Sequence, residues 1–168
     1  FAQRTASRIV LGGGGGAGGN NNSAALTSSG GAGGGIVMVR AGALTGTGTI
    51  NANGARGQTQ AQNDGAGGGG AGGSVLVYST VGGVGTLSIN VNGGAGGDSF
   101  LTGNTAHAGG GGGGGGFVVT STVAVTNSLA GGLNGNTNTV EAPANAAHGA
   151  TGGGAGQVYL APVLARVF

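Results

Sequence analysis

Four short apolar runs recur along the chain, and each follows directly on glycine. They are Gly35-Ile36-Val37-Met38-Val39, Gly73-Ser74-Val75-Leu76-Val77-Tyr78, Gly116-Phe117-Val118-Val119-Thr120 and Gly156-Gln157-Val158-Tyr159-Leu160. Val37, Val75, Val118 and Val158 hold the same place in each run, spaced 38, 43 and 40 residues apart. Short stretches of β-branched and aromatic residues bounded by glycine predict strands, and the four valines predict one shared apolar layer. A second set follows. Ile50-Asn51-Ala52-Asn53-Gly54 matches Ile89-Asn90-Val91-Asn92-Gly93, with a looser version at Val123-Ala124-Val125. These alternate apolar and polar positions, as a half-buried strand does.

The spacing of about 40 residues predicts a repeat architecture of four units. Each unit is a glycine run, a strand, a turn, a second strand, more glycine and a polar loop. The loops differ completely: NNNSAALTSSG, QTQAQND, DSFLTGNTAHA and NTNTVEAPANAAHGAT. Glycine supplies 48 of 168 residues, and such a composition ordinarily means disorder. Hydrophobic residues nevertheless make up 38% of the chain, and they are clustered. No segment shows a helical period, and each interior glycine disfavours helix by about 1 kcal/mol. Glycine chains do adopt an extended form with three residues per turn and outward-pointing amides and carbonyls. Laid side by side, such chains satisfy one another's backbone groups. The sequence therefore predicts an all-β, helix-free fold in which strands adjoin packed glycine layers of the polyglycine-II kind, as a single domain over 1–168.

Composition then excludes several functions. The chain has no cysteine, which removes disulfides, thiolate metal sites and thiol nucleophiles. Lysine is absent too, and a phosphate-binding P-loop needs one. The abundant G-x-G-x-x-G matches follow from glycine content. Arg4, Arg8, Arg40, Arg56 and Arg166 stand against Asp64, Asp98 and Glu141, for a net charge of +2. Five dispersed arginines make no nucleic-acid footprint. No apolar stretch approaches the ~20 residues of a membrane span. The first residue is Phe1, which predicts a processed chain or part of a longer one.

The glycine runs, such as Gly109 to Gly116, separated by variable polar loops, resemble the polyglycine-II sandwich adhesins at some phage tail-fibre tips. The stretch GGAGGGIVMVRAGALTGTGTINANG is similar to glycine-rich repeats of large bacterial surface proteins. The resemblance implies a surface or fibre protein, extracellular or on a cell surface.

Candidate chemistry is sparse. Gly93 to Leu101 fits a calcium β-roll nonapeptide with Asp98 at its acidic position, but only once. Hard-cation sites take several oxygens, and three acids supply no tandem array. His107 and His148 lie one unit apart without further metal-ligating neighbours. No paired carboxylates or nucleophile elbow appear, so no catalytic residue, metal or cofactor is assigned, and the chain is read as a non-enzyme. Asn21-Asn22-Ser23 is a glycosylation sequon. Phe100, Phe117, Tyr78 and Tyr159 read as packing residues.

The termini point to assembly. Residues 1–11 read as a strand with Ile9, Val10 and Leu11 as apolar anchors, ahead of repeats over 12–156. Residues 157–168 read as a closing strand ending in Val163, Val167 and Phe168. Apolar end strands without polar caps predict association. The function expected is a structural subunit of an extracellular fibre or sheath that polymerises with itself. The alternative is an adhesin whose variable loops bind a cell-surface glycan or protein.

Overall fold

In the computed structural model, residues 8–19, 21, 28–59, 64–81, 85–100, 107–121, 125–138 and 146–160 are described here. Among them there is no helix. The four apolar runs form strands β1 (Ile36–Ala41), β3 (Ser74–Ser79), β6 (Phe117–Thr120) and β9 (Gln157–Leu160). They pair in parallel, in the order β1-β3-β6-β9. A second parallel sheet joins β2 (Thr47–Asn51), β4 (Thr86–Asn90) and β7 (Val125–Ser128), and a two-stranded one joins β5 (Ser99–Phe100) and β8 (Thr137–Asn138). Parallel pairing is possible because each strand is followed by a full excursion down and back before its partner arrives.

Val37, Val75, Val118 and Val158 fall in one cross-strand row. Val75, Val77 and Val118 pack with Ile89, Val91 and Ala52 of the facing layer, flanked by Val37, Val39, Ile50 and Leu87. Val158 departs from the expected shared layer. It is 44% exposed, because β9 is an edge strand with no described strand beyond it. The other side of the large sheet carries a smaller cluster of Leu76, Phe117 and Val119, against which Ile9 and Tyr159 pack.

The second sheet also differs at its third strand. Register sets Leu87 opposite Val125 and Ile89 opposite Asn127. The position held by Ile50 and Ile89 thus passes to an asparagine, while Val123 and Ala124 lie outside the described residues. On the polar face, the Asn90 side chain donates to Asn51 Oδ1 at 2.7 Å, and Asn53 Oδ1 accepts from the Asn92 amide at 2.7 Å.

Away from the strands, backbone hydrogen bonds advance in steps of three residues. Gly67, Gly70 and Gly73 donate to the carbonyls of Gln58, Ala55 and Ala52. Ala66, Gly69 and Gly72 donate to Ala108, Gly111 and Gly114. Gly68 and Ala71 donate to Gly16 and Gly13. One segment therefore addresses three neighbours, each through every third amide, and its backbone is satisfied without side chains.

These bonds define layers. Segments 28–35, 65–73, 107–116 and 147–156 run side by side in one direction, each leading into a strand of the large sheet. Segments 52–59, 91–98 and 129–136 run the opposite way, each bonded to two of them. Segment 52–59 bonds to 28–35 and 65–73 through Ala55–Ala32 and Gly70–Ala55. Segment 91–98 bonds to 65–73 and 107–116 through Gly94–Gly70 and Gly113–Gly94. Segment 129–136 bonds to 107–116 and 147–156 through Gly132–Gly113 and Gly153–Gly132. Segment 12–19 also bonds to both 28–35 and 65–73, through Gly15–Gly31 and Gly68–Gly16. Two segments cannot occupy one furrow, so 12–19 lies across the layer from 52–59. Glycine is required where layers touch: a β-carbon on Gly70 would lie 2.1 Å from the Ala32 carbonyl oxygen. At Gly73 the layers still bond directly, with 2.7 Å to the Ala52 oxygen. Beyond it they diverge to admit the valine core, since facing sheets with side chains stand about 10 Å apart.

Candidate functional site: the loop-bearing end

The described stems of the four variable loops lie at the end of the layers opposite the large sheet. They are held by a collar of polar contacts. The Asn21 amide donates to Asp64 Oδ2 at 3.0 Å, and Ser28 Oγ donates to the Gly19 carbonyl at 2.8 Å. Gln58 Oε1 accepts from the Ser29 amide at 3.1 Å. Ser99 Oγ donates to the Asp64 carbonyl at 2.8 Å, and the Thr137 amide donates to the Ala146 carbonyl at 2.8 Å. Asp64, Ser99 and Thr137 are buried. The β5–β8 pair closes the collar between the third and fourth loop stems.

Asp98 is the centre of a second clip. Its Oδ2 pairs with Arg56 Nη2, its Oδ1 accepts from the Asn136 amide at 3.0 Å, and its own amide donates to Thr59 Oγ1 at 3.2 Å. Both carboxylate oxygens thus bind protein groups, and the residue ties three chain segments together. Among the described residues no three His, Cys, Asp or Glu side chains gather as a metal set. His148 stands with Gly149 in a tight turn at φ 44° and 86°, closed by the Ala150 amide on the Ala147 carbonyl at 2.9 Å. The turn explains the sequence His-Gly: both central residues take positive φ, and glycine makes the second inexpensive. His148 is exposed and His107 half-buried.

Of the predicted assembly residues, Ile9 packs on Leu76, Phe117 and Val119 of its own chain. Val10 exchanges two hydrogen bonds with Ser74, donating to Oγ at 3.2 Å and accepting from it at 2.6 Å. Leu11 is exposed. Val163, Val167 and Phe168 lie outside the described residues, as do Asn22, Ser23 and Glu141. The Phe117 and Tyr159 rings pack with centroids 4.9 Å apart and planes tilted by 47°. Sequence reading missed the clip formed by Arg56, Asp98 and Asn136. Its signal was an isolated arginine and an isolated aspartate 42 residues apart, close to the spacing of the apolar runs.

No helix of the described residues is long and apolar enough to cross a membrane. No family model, curated protein or solved structure matches the chain.

Proposed function

We propose that the chain is a non-enzymatic structural subunit of an extracellular fibre or sheath, built from four repeats of about 40 residues whose glycine segments are polyglycine-II helices. Support for the helices comes from the three-residue step of the interlayer bonds, which is the period of that conformation. The observation that carries assembly is the pair of open edges. β1 and β9 each pair on one side only among the described strands, and both present apolar side chains: Ile36 and Met38 on one, Val158 and Leu160 on the other. The two edges lie at opposite ends of one parallel sheet. Adding β1 of one copy to β9 of the next continues that sheet in the same direction. The contact is heterologous and repeats without limit unless the rotation closes it. Electron microscopy of the purified protein tests this. Filaments are expected from the parent and particles from a Val158→Lys, Leu160→Lys variant that folds with unchanged melting temperature. Isolated particles from the parent at every concentration would exclude the reading.

A second reading is favoured by the collar. A rigid layer holding four unrelated polar loops at one end suits an adhesin that binds a cell-surface glycan or protein. Exchange of one loop would then change target binding and leave filament formation alone.

A further inference from the structure

The furrow that receives segment 12–19 has a counterpart elsewhere on the same face. The Gly34, Gly72 and Gly115 amides donate to the Ala71, Gly114 and Gly154 carbonyls, which sets Gly33, Ala71, Gly114 and Gly154 in one row across the layer. In the filled furrow, one wall is Gly30 and Gly33. A β-carbon there would lie 1.9 Å from the carbonyl oxygens of Gly15 and Gly12. The other wall donates amides from Gly68 and Ala71 to Gly16 and Gly13, while the Gly31 carbonyl accepts from Gly15.

The next furrow, between 65–73 and 107–116, has Ala71 at the Gly33 position. Its methyl group stands where a docked carbonyl would have to lie. The furrow after that, between 107–116 and 147–156, has Gly111 and Gly114 on its first wall. β-Carbons at these two positions would meet only the Thr151 oxygen at 3.5 Å and the Gly154 oxygen at 3.8 Å. Its second wall carries the Thr151 and Gly154 amides, and its first wall the Gly112 carbonyl; among the described residues the two amides have no acceptor and the carbonyl has no donor. Gly111, Thr151 and Gly154 are exposed.

Resting on the polyglycine reading above, we propose that this furrow is a docking site for an extended polypeptide segment of the form Gly-x-x-Gly-x-x-Gly, supplied by a partner chain and running antiparallel to 107–116. Two of its carbonyls accept from Thr151 and Gly154, and one of its amides donates to Gly112. Glycine is needed at every third position because the filled furrow needs it: β-carbons on Gly12, Gly15 and Gly18 would lie 2.3, 2.0 and 2.0 Å from the oxygens of Ala71, Gly68 and Gly65. The intervening positions face outward, where Gly13 and Gly16 meet nothing within 4 Å, so they tolerate other residues. The site selects a conformation and a glycine period rather than a side chain.

The test uses a capped synthetic peptide with the sequence Leu11 to Gly19, titrated into the isotopically labelled protein and followed by the backbone amide signals of Thr151 and Gly154. Saturable shifts at both are expected. A Gly111→Ala, Gly114→Ala protein keeps its melting temperature, because those β-carbons have room, and loses affinity about tenfold or more. The single Gly114→Ala protein serves the same purpose should the double variant melt early. A peptide with alanine at each third glycine leaves the signals unmoved. Absence of shifts, or shifts indifferent to both the furrow variants and the alanine peptide, overturns the proposal. Neither result bears on filament formation through β1 and β9, which these variants do not touch.

Discussion

Gly112 and Gly132 meet backbone to backbone: a β-carbon on Gly112 would lie 2.0 Å from the Gly132 carbonyl oxygen. The same pair is joined indirectly through Gly113, whose carbonyl accepts from the Gly132 amide at 2.8 Å. No rotamer relieves such a collision, since the obstacle is main chain on both sides. Gly112→Val is therefore expected to cost more than about 4 kcal/mol, in the range reserved for disrupted packing, and to abolish the cooperative thermal transition. Gly16→Ala is the control. Its β-carbon meets nothing within 4 Å, and restricting the unfolded chain should stabilise by about 0.4–1 kcal/mol. Melting curves of the two variants separate a packed layer from a linker: equal behaviour would mean that 107–116 does not pack.

Asn127 offers a gain. It stands in the row of Ile50 and Ile89, and its Oδ1 is buried without a hydrogen-bond partner. Its amide reaches only the Val125 carbonyl, at 3.3 Å. Leaving an acceptor unsatisfied costs about 1–3 kcal/mol, and an aliphatic side chain would add apolar burial against Ile89. Asn127→Val is expected to stabilise by about 1–2 kcal/mol. At this chain length that raises Tm by roughly 2–4 °C per kcal/mol. A lower Tm would show that the asparagine is held by something the valine cannot replace.

Asp98 is expected to act as a clip and not as a cation ligand. Melting temperatures in millimolar calcium and in chelator should coincide, because both carboxylate oxygens already serve Arg56 and Asn136. Asp98→Ala should lower stability by about 1 kcal/mol through the lost bond to the Asn136 amide. A calcium-dependent rise in Tm that vanishes in Asp98→Ala would reverse the assignment.

Strand positions were legible because valine recurs at fixed spacing after glycine, and the row of Val37, Val75, Val118 and Val158 is the observed register. The exposure of Val158 was not legible, since the spacing of the valines does not reveal that a strand is at an edge. Nor was the substitution of Asn127 for isoleucine, because Val123-Ala124-Val125 offered a better apolar match four residues earlier. The difference between Ala71 and Gly114 carries no signal in composition. It acquires meaning only when the layers show which third of the residues faces which neighbour. The collar escaped for a related reason: Ser28, Asp64 and Ser99 belong to three different loop stems, and nothing in the linear pattern brings them together.

The last prediction concerns the N-terminal segment. Residues 1–11 were expected to pair with a neighbouring subunit; of the described part, Arg8 to Leu11, Ile9 and Val10 contact the chain's own sheet. Ser74 makes this seat specific. It is buried, and its hydroxyl both donates to and accepts from the Val10 backbone, which replaces the pairing a strand would provide. Ser74→Ala should cost about 1–2 kcal/mol, the value of two exchanged bonds less the water that replaces them. Removing residues 1–11 should cost more, because Ile9 covers Leu76, Phe117 and Val119, and burying an aliphatic side chain of that size contributes about 1.5–3 kcal/mol. The truncated protein should therefore melt several degrees lower and bind a hydrophobic dye that the parent does not. If Ile9 and Val10 work only within the chain, filaments of the truncated protein at low temperature should match those of the parent. Loss of filaments with unchanged melting temperature would instead place this segment at the joint between subunits.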